Sequence, residues 1–162
     1  MLYTSATWKS FTTTEDNDMA NIELHPLGVM TVHLGETINV GGGPKGSRMV
    51  IDVPSVELEG KRIRARLATN DAADWATFSA DGKFAALDVR LTLKTDDGAY
   101  IYVEYCGRMD VEAGLISVAP TFETGSAEYS WLNSVQAVAA GAIDPDSGLL
   151  IYTIYEARAV AV

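Results

Sequence analysis

The chain has 162 residues, a length that suits one domain and is short for two. Its hydrophobic fraction of 48% is typical of a globular protein, and its formal net charge of −10 disfavours nucleic-acid phosphates and anionic membrane surfaces as partners. No apolar run reaches membrane-spanning length, and residues 1–20 lack the basic and apolar regions of a secretion signal. The single cysteine, Cys106, excludes an intramolecular disulfide, so we expect a cytoplasmic protein.

The first residues differ in composition from the rest of the chain. Residues 1–23 are rich in Thr, Ser, Asp and Asn, with Trp8 and Phe11 as the large apolar side chains that follow Tyr3. This composition predicts an N-terminal extension, followed by a single β-barrel domain over residues 24–162.

In the first half of the chain, alternation of apolar and polar residues predicts strands at residues 29–34, 47–53 and 61–67. Between the first two, residues 41–46 read Gly-Gly-Gly-Pro-Lys-Gly, which predicts a loop because Gly and Pro weaken a strand ladder. The stretch lacks the Lys-Ser/Thr of a phosphate-binding loop. A short helical turn is predicted near residues 71–76.

The second half contains the clearest hairpin. Residues 84–93 and 99–105 alternate cleanly, and Asp-Gly within residues 95–98 supplies the turn between them. A second helical turn is predicted near residues 126–132. Three further strands are predicted at residues 115–122, 134–140 and 149–156. About eight short strands without a long helix favour an all-β, antiparallel barrel, and a barrel of that size can hold one small ligand.

Five short motifs occur in a fixed order along the chain. They are Ala73-Asp74-Trp75, Leu87-Asp88-Val89-Arg90, Leu93-Lys94-Thr95-Asp96-Asp97-Gly98-Ala99-Tyr100-Ile101-Tyr102-Val103, Pro120-Thr121-Phe122-Glu123-Thr124 and Tyr129-Ser130-Trp131-Leu132-Asn133. Together they resemble a bacterial and fungal family, domain of unknown function 3237, over about residues 24–157. The resemblance implies a calycin-like β-barrel and hints at cofactor-free chemistry on aromatic or polyketide-like compounds. The glycine-rich stretches of the family are replaced here at residues 54–60 and 70–73.

Asp74 and Trp75 are the first candidates for a site. A carboxylate beside an indole could transfer protons, because an apolar wall raises the pKa of a carboxyl group. The alternative is that Asp74 caps a short helical turn and that Trp75 belongs to the core.

Asp88 and Arg90 are the second candidates. They lie two residues apart in a strand and therefore point to the same side. If that side is the lumen, Arg90 could polarise a substrate oxygen while Asp88 orients it or takes a proton. If that side is solvent, the pair is a surface ion pair of little energetic value. The alternation leaves open which side faces in.

Two aromatic groups complete the candidate site as substrate-binding residues, together with Trp75. Tyr100, Tyr102 and Glu104 share one strand face, and we expect them beside Asp88 and Arg90 across the hairpin. The other group consists of Tyr129, Trp131 and Asn133, of which Asn133 either orients a ligand or closes a turn.

The missing motifs narrow the chemistry. The chain has no Ser/His/Asp order, zinc-protease motif, Cys-x-x-Cys or dinucleotide fingerprint, so we expect neither a metal nor a cofactor. The remaining hypothesis is a cofactor-independent lyase, isomerase or cyclase that acts on a small, partly aromatic or polyketide-like compound. A homo-oligomer is the assembly that this hypothesis allows. The alternative is a non-catalytic carrier or sensor of a small molecule.

Overall fold

The computed structural model describes residues 20–144 and 146–161, which form antiparallel strands and one short 3-10 turn. The strands are β1 (Ala20–His33), β2 (Thr37–Gly43), β3 (Gly46–Asp52), β4 (Ser55–Glu59), β5 (Arg64–Leu67), β6 (Ala73–Asp74), β7 (Thr77–Phe78), β8 (Phe84–Thr95), β9 (Tyr100–Asp110), β10 (Leu115–Glu123), β11 (Ala137–Asp144) and β12 (Leu149–Ala161). The 3-10 turn is Ser130–Ser134.

The strands close into an eight-stranded antiparallel barrel. Hydrogen-bonded neighbours follow the order β8, β5, β4, β1, β12, β11, β10 and β9, and β9 pairs back with β8. Strands β6 and β7 pair with β3 on one side and β8 on the other, so they continue β5 along the same wall. Strands β2 and β3 extend the wall at one end. The predicted all-β barrel is therefore confirmed.

The alternation along β8 decides which side of the wall faces inwards. Leu87, Val89, Leu91 and Leu93 are buried in the barrel, with Leu93 fully inaccessible. Strand β9 follows the same rule, since alternate residues from Ile101 onwards are buried. Each aliphatic side chain buried in this way contributes about 1.5–3 kcal/mol of hydrophobic stabilisation. The apolar faces of the strands therefore point inwards, where they fill one end of the barrel, the closed end, and line the other.

Two predicted irregular segments are strands instead. Residues 41–46 were expected to be a loop, but Gly41, Gly42 and Gly43 pair with β3, and the turn is confined to residues 44–45. Glycine is accommodated there because β2 pairs with β3 alone among the described strands, its register shifts beside Gly41, and Gly41 adopts a φ of 91°.

The helical turn predicted near residues 71–76 is also wrong. Residues 73–74 form β6, because the neighbouring strands β3 and β8 supply backbone partners that outweigh local preference. The second predicted turn, near residues 126–132, corresponds to the 3-10 turn at Ser130–Ser134.

The barrel begins earlier than residue 24. Strand β1 starts at Ala20, which pairs with Ala161 at the end of β12. Of the predicted extension over residues 1–23, residues 20–23 thus belong to β1, and residues 1–19 lie outside the described residues. Within the described part of the chain, no helix has the length and apolar character required to cross a membrane.

Candidate active site in the barrel lumen

A cavity of about 270 Å³ occupies one end of the barrel. It lies near the β9–β10 and β11–β12 turns, and its lining is apolar apart from Asp74, Tyr105 and Tyr152. Six apolar residues of the lining are partly exposed and surround the mouth: Leu34, Ile51, Phe78, Met109, Val111 and Ile143. The deeper lining includes the buried side chains of Val89 and Leu150. This is a concave, largely apolar pocket with few polar groups, as small-molecule sites commonly are.

Asp74 reaches the cavity at a break in the barrel wall. It ends β6, and β7 resumes three residues later at Thr77. At the break, the Trp75 N–H donates to the Asp88 carbonyl at 2.9 Å, and the Asp88 N–H donates to Asp74 Oδ1 at 3.0 Å. The carboxylate therefore replaces a backbone acceptor in the strand ladder and is held in a defined orientation.

Burial raises the pKa of Asp74 from its ordinary value of 3.8 to about 6. The hydrogen bond from the Asp88 backbone lowers this pKa, the Asp88 charge raises it, and the Arg48 charge lowers it. At neutral pH the carboxylate is mostly ionised yet close enough to its pKa to exchange a proton. That is the property expected of a general base or acid.

Tyr105 and Tyr152 face Asp74 from β9 and β12. Their rings meet edge to face, with centroids 5.8 Å apart and planes at 69°. Burial raises the pKa of Tyr105 well above its ordinary value, with further contributions from Tyr152 and Asp74. Burial and then the Asp74 charge also raise the pKa of Tyr152. Both hydroxyls therefore remain neutral and can donate or accept a hydrogen bond.

The Tyr152 ring depends on a glycine directly across the ladder. Gly141 is its register partner in β11, and a Cβ atom added at Gly141 would overlap the ring. Glycine here leaves the space that the phenol occupies in the lumen.

Asp88 and Arg90 lie on the outer wall of the barrel. Arg90 Nη2 is 3.1 Å from Asp88 Oδ1, and both side chains are more than 40% exposed. The Arg90 guanidinium stands 5.6 Å from the centre of the Trp75 ring, so Trp75 is outside as well. Asp74 lines the cavity, whereas its neighbour Trp75 and the Asp88–Arg90 pair do not.

Tyr100, Tyr102 and Glu104 are also outside. Glu104 is the register partner of Arg90 across the β8–β9 hairpin, which is the predicted adjacency. The Tyr102 hydroxyl donates to Glu104 Oε2 at 3.2 Å, while Tyr100 is 58% exposed beside Lys94. Tyr100 and Tyr102 border a shallow open depression on the outer surface. None of the three residues lines the cavity in the lumen.

Tyr129, Trp131 and Asn133 lie at the opposite end of the barrel from the cavity mouth. The Tyr129 hydroxyl donates to Asp97 Oδ1 at 3.2 Å. Asn133 exchanges hydrogen bonds of 2.8 and 2.9 Å with the Thr124 backbone and closes that turn. The Trp131 ring packs 3.6 Å from the Arg62 guanidinium. The structure therefore does not bring this group together with Asp74.

Three residues of the site were missed: Tyr105, Tyr152 and Arg48. The tyrosines could have been found from alternation, since Tyr105 shares its face with Ile101 and Val103, and that face is the buried one. In the described residues, no three His, Cys, Asp or Glu side chains converge as metal ligands do.

Comparison with family models identifies the relatives of this barrel. Residues 22–118 and 110–157 match the model described as Protein of unknown function (DUF3237). The chain belongs to this family. Among curated proteins, a UPF0311 protein of Rhodopseudomonas palustris (strain TIE-1) is 26% identical over 127 residues, which are 68% of this chain and 82% of that protein.

Solved structures share the DUF3237 barrel. A β-barrel like protein from Acinetobacter baumannii AYE has a TM-score of 0.77 and 30% identity, covering 89% of this chain and all of that one. A conserved protein of unknown function from Rhodopseudomonas palustris has a TM-score of 0.76 and 23% identity, covering 85% and 99%. An enzyme from Penicillium herquei has a TM-score of 0.65 and 20% identity, covering 90% and 100%. The last two likenesses show the fold alone.

Proposed function

We propose that this DUF3237 chain binds a small, partly aromatic or polyketide-like compound in its lumen and transforms it by acid/base chemistry without a cofactor. Asp74 would transfer the proton in a lyase, isomerase or cyclase reaction. The observation that carries the proposal is a carboxylate, with a pKa of about 6, in a cavity whose lining is otherwise apolar apart from two tyrosines. General acid/base catalysis is most effective when the pKa of the group lies near the working pH.

The size and lining of the cavity support the substrate class. An apolar cavity of about 150 Å³ holds benzene, so the present cavity of about 270 Å³ has room for a larger aromatic body. The phenol rings of Tyr105 and Tyr152 offer aromatic contact, and their neutral hydroxyls can orient one polar group of the compound near Asp74. The Penicillium herquei neighbour, described as an enzyme, is in keeping with catalysis on this fold.

A carrier or sensor is the second candidate, and one contact favours it. Because Asp74 Oδ1 accepts the Asp88 N–H, the carboxylate has a structural task that needs no substrate. In that case the lumen would hold the same kind of compound and release it unchanged.

The first experiment asks whether the lumen holds a ligand. Native mass spectrometry of the purified chain, with organic extraction, should recover a small molecule in stoichiometric amount. In parallel, the neutral dye N-phenyl-1-naphthylamine should fluoresce on binding. Val111→Trp, which narrows the mouth, should weaken binding of the dye. The matched control is Val40→Trp on the exposed strand β2. Equal binding by all three proteins would reject the lumen as the site.

The second experiment separates enzyme from carrier. The recovered compound is incubated with protein in D₂O, and mass spectrometry follows deuterium incorporation and conversion. Wild type and Asp96→Asn should catalyse exchange, while Asp74→Asn should bind the compound and leave it unlabelled. Asp96 is an exposed aspartate at the closed end, paired with Arg66. An unchanged compound with all three proteins would favour the carrier.

The proposal also includes the cellular location of the chain and its assembly. The net charge of −10 and the free Cys106 suit a cytoplasmic protein with neither nucleic acid nor membrane as partner. Ile38 and Val40, exposed on β2, are apolar and could support a homo-oligomer. The native mass of the purified chain gives its subunit count directly.

A further inference from the structure

Hydrogen bonds from β3 fix the break in the barrel wall next to Asp74. Trp75 and Ala76 lie between β6 and β7, and a guanidinium nitrogen of Arg48, on β3, donates to the Trp75 carbonyl oxygen. The next residue of β3, Met49, donates its N–H to the Ala76 carbonyl at 3.0 Å. Strand β3 therefore fixes the carbonyl groups of the two residues that follow Asp74.

Strand β8 fixes the other side of the same break. Asp88 contributes its backbone N–H to the Asp74 carboxylate and its carbonyl to the Trp75 N–H. Its side chain points outwards to Arg90, whose guanidinium lies over the Trp75 ring. Asp74 on the inner face thus has opposite charges, Arg48 and Asp88, behind it on neighbouring strands.

We propose that Arg48 is a positioning residue for Asp74, and that Arg48 and Asp88 together set the orientation and the charge state of this carboxylate from outside the lumen. Arg48 secures the Trp75 carbonyl, and Asp88 secures the carboxylate and the Trp75 N–H. A ligand in the cavity would touch neither side chain. The inference rests on the proposed function only in giving Asp74 a catalytic role. The effect of Arg48 and Asp88 on the Asp74 carboxylate can be measured in the protein without a ligand.

Among the described residues, the charged and titratable groups around Asp74 lie on four strands. From β3 comes Arg48, from β8 the Asp88–Arg90 pair, and from β9 and β12 the hydroxyls of Tyr105 and Tyr152. Because burial keeps both hydroxyls neutral, the groups that can act on Asp74 by charge at neutral pH are on the outer wall. The Arg48 charge lowers the pKa of Asp74 and the Asp88 charge raises it.

The test is an NMR titration of the ¹³C-labelled side-chain carboxyl groups in the full chain without ligand. The Asp74 signal is the one that disappears in Asp74→Asn. Arg48→Met should raise the pKa of Asp74 above its value of about 6, because a nearby positive charge is lost. Asp88→Asn should lower it, because a like charge is lost while the backbone donor stays. Arg64→Met, an exposed arginine paired with Glu59 elsewhere on the barrel, is the matched control and should leave it unchanged.

Shifts of opposite sign in Arg48→Met and Asp88→Asn, with no shift in the control, would support the proposal. An unchanged Asp74 titration in either variant would overturn it. If Arg48→Met does not fold, Arg48→Gln replaces it, since the amide can still donate a hydrogen bond but carries no charge. A catalytically active Asp74→Asn would reject the proposed function and leave these titrations intact, so the two failures are distinguishable.

Discussion

Replacing Asp74 by Asn should stabilise the folded protein at neutral pH. Burial raises the pKa of Asp74 from 3.8 to about 6, so the fold favours the protonated form. The stabilisation from protonation is therefore fully present below about pH 3.8 and is lost as the pH rises through about 6. At 1.36 kcal/mol per pKa unit, ionisation at pH 8 costs the fold about 3 kcal/mol, which an uncharged amide avoids. Asn can still accept the Asp88 N–H.

The assay is urea unfolding of both proteins between about pH 4 and about pH 8, followed by tryptophan fluorescence. The free energy of unfolding of Asp74→Asn, relative to wild type, should rise by up to about 3 kcal/mol across this range. Asp81→Asn is the control. Hydrogen bonds from the Ser79 hydroxyl and the Lys83 backbone lower the pKa of the exposed Asp81 below its ordinary value of 3.8, so Asp81 is ionised throughout this range and that variant should show no comparable rise in relative stability.

A difference between Asp74→Asn and wild type that does not change with pH would refute the reasoning. A relative stability of Asp74→Asn that falls between about pH 4 and about pH 8 would refute it as well. Either result would mean that solvent reaches the carboxylate and that its pKa is not raised by burial. The expected difference is a large part of the roughly 5–15 kcal/mol that stabilises an ordinary domain, so it is well within measurement.

Four further substitutions test the fold and the lumen. Leu58→Ala, at a fully buried position, should lower the free energy of unfolding by about 2–5 kcal/mol in urea, and a loss below 1 kcal/mol would contradict the described core. Gly141→Ala should displace the Tyr152 ring, costing about 1–3 kcal/mol and changing the near-ultraviolet circular dichroism; an unchanged spectrum would count against that contact. Tyr105→Phe and Tyr152→Phe should each remove one phenol that ionises in an absorbance titration only when alkali unfolds the barrel. If a variant instead lost a phenol that ionises before the barrel unfolds, the replaced ring would be exposed to solvent and not buried.

The barrel could be predicted from the sequence because its longest strands alternate without interruption. In β8 and β9 every second residue is apolar, and the Asp-Gly turn joins them in register. The direction of Asp88 and Arg90 could not be settled from one strand, because a barrel lumen can be polar or apolar. Their outward direction follows from the closure of the barrel, because eight strands bury more apolar surface when their apolar faces point inwards.

The local structure at Asp74 depends on partners distant in sequence. Asp74 pairs with Ile51 on β3 and Val89 on β8, and nothing in residues 71–76 reveals either partner. A lone Asp before an aromatic residue therefore suggested a helical cap. Gly41 and its neighbours were misjudged for the same reason, because β3 supplies the ladder that the glycines themselves do not favour.

The tyrosines of the lumen were missed for a different reason. Most of the predicted site residues lie on the polar faces of the strands, where Tyr100 and Tyr102 are close to charged residues. Tyr105 and Tyr152 instead alternate with aliphatic residues on the opposite, apolar faces. In a closed barrel the apolar face is both the core and the wall of the cavity, so the polar atoms worth noting are the few on that face.

The position of Asp74 on this apolar inner face bears on whether the carboxylate is structural or catalytic. If the carboxylate only replaced a backbone acceptor for the Asp88 N–H, an asparagine would do so without the cost of a buried charge at neutral pH. The chain instead carries an ionisable group that weakens its fold by about 3 kcal/mol above pH 6, next to a cavity with two neutral phenols. Destabilising groups of this kind are typical of functional sites, where activity and stability compete. A more stable but inactive Asp74→Asn protein would therefore be the expected signature of a catalytic carboxylate, whereas a more stable protein with unchanged ligand release would indicate a carrier.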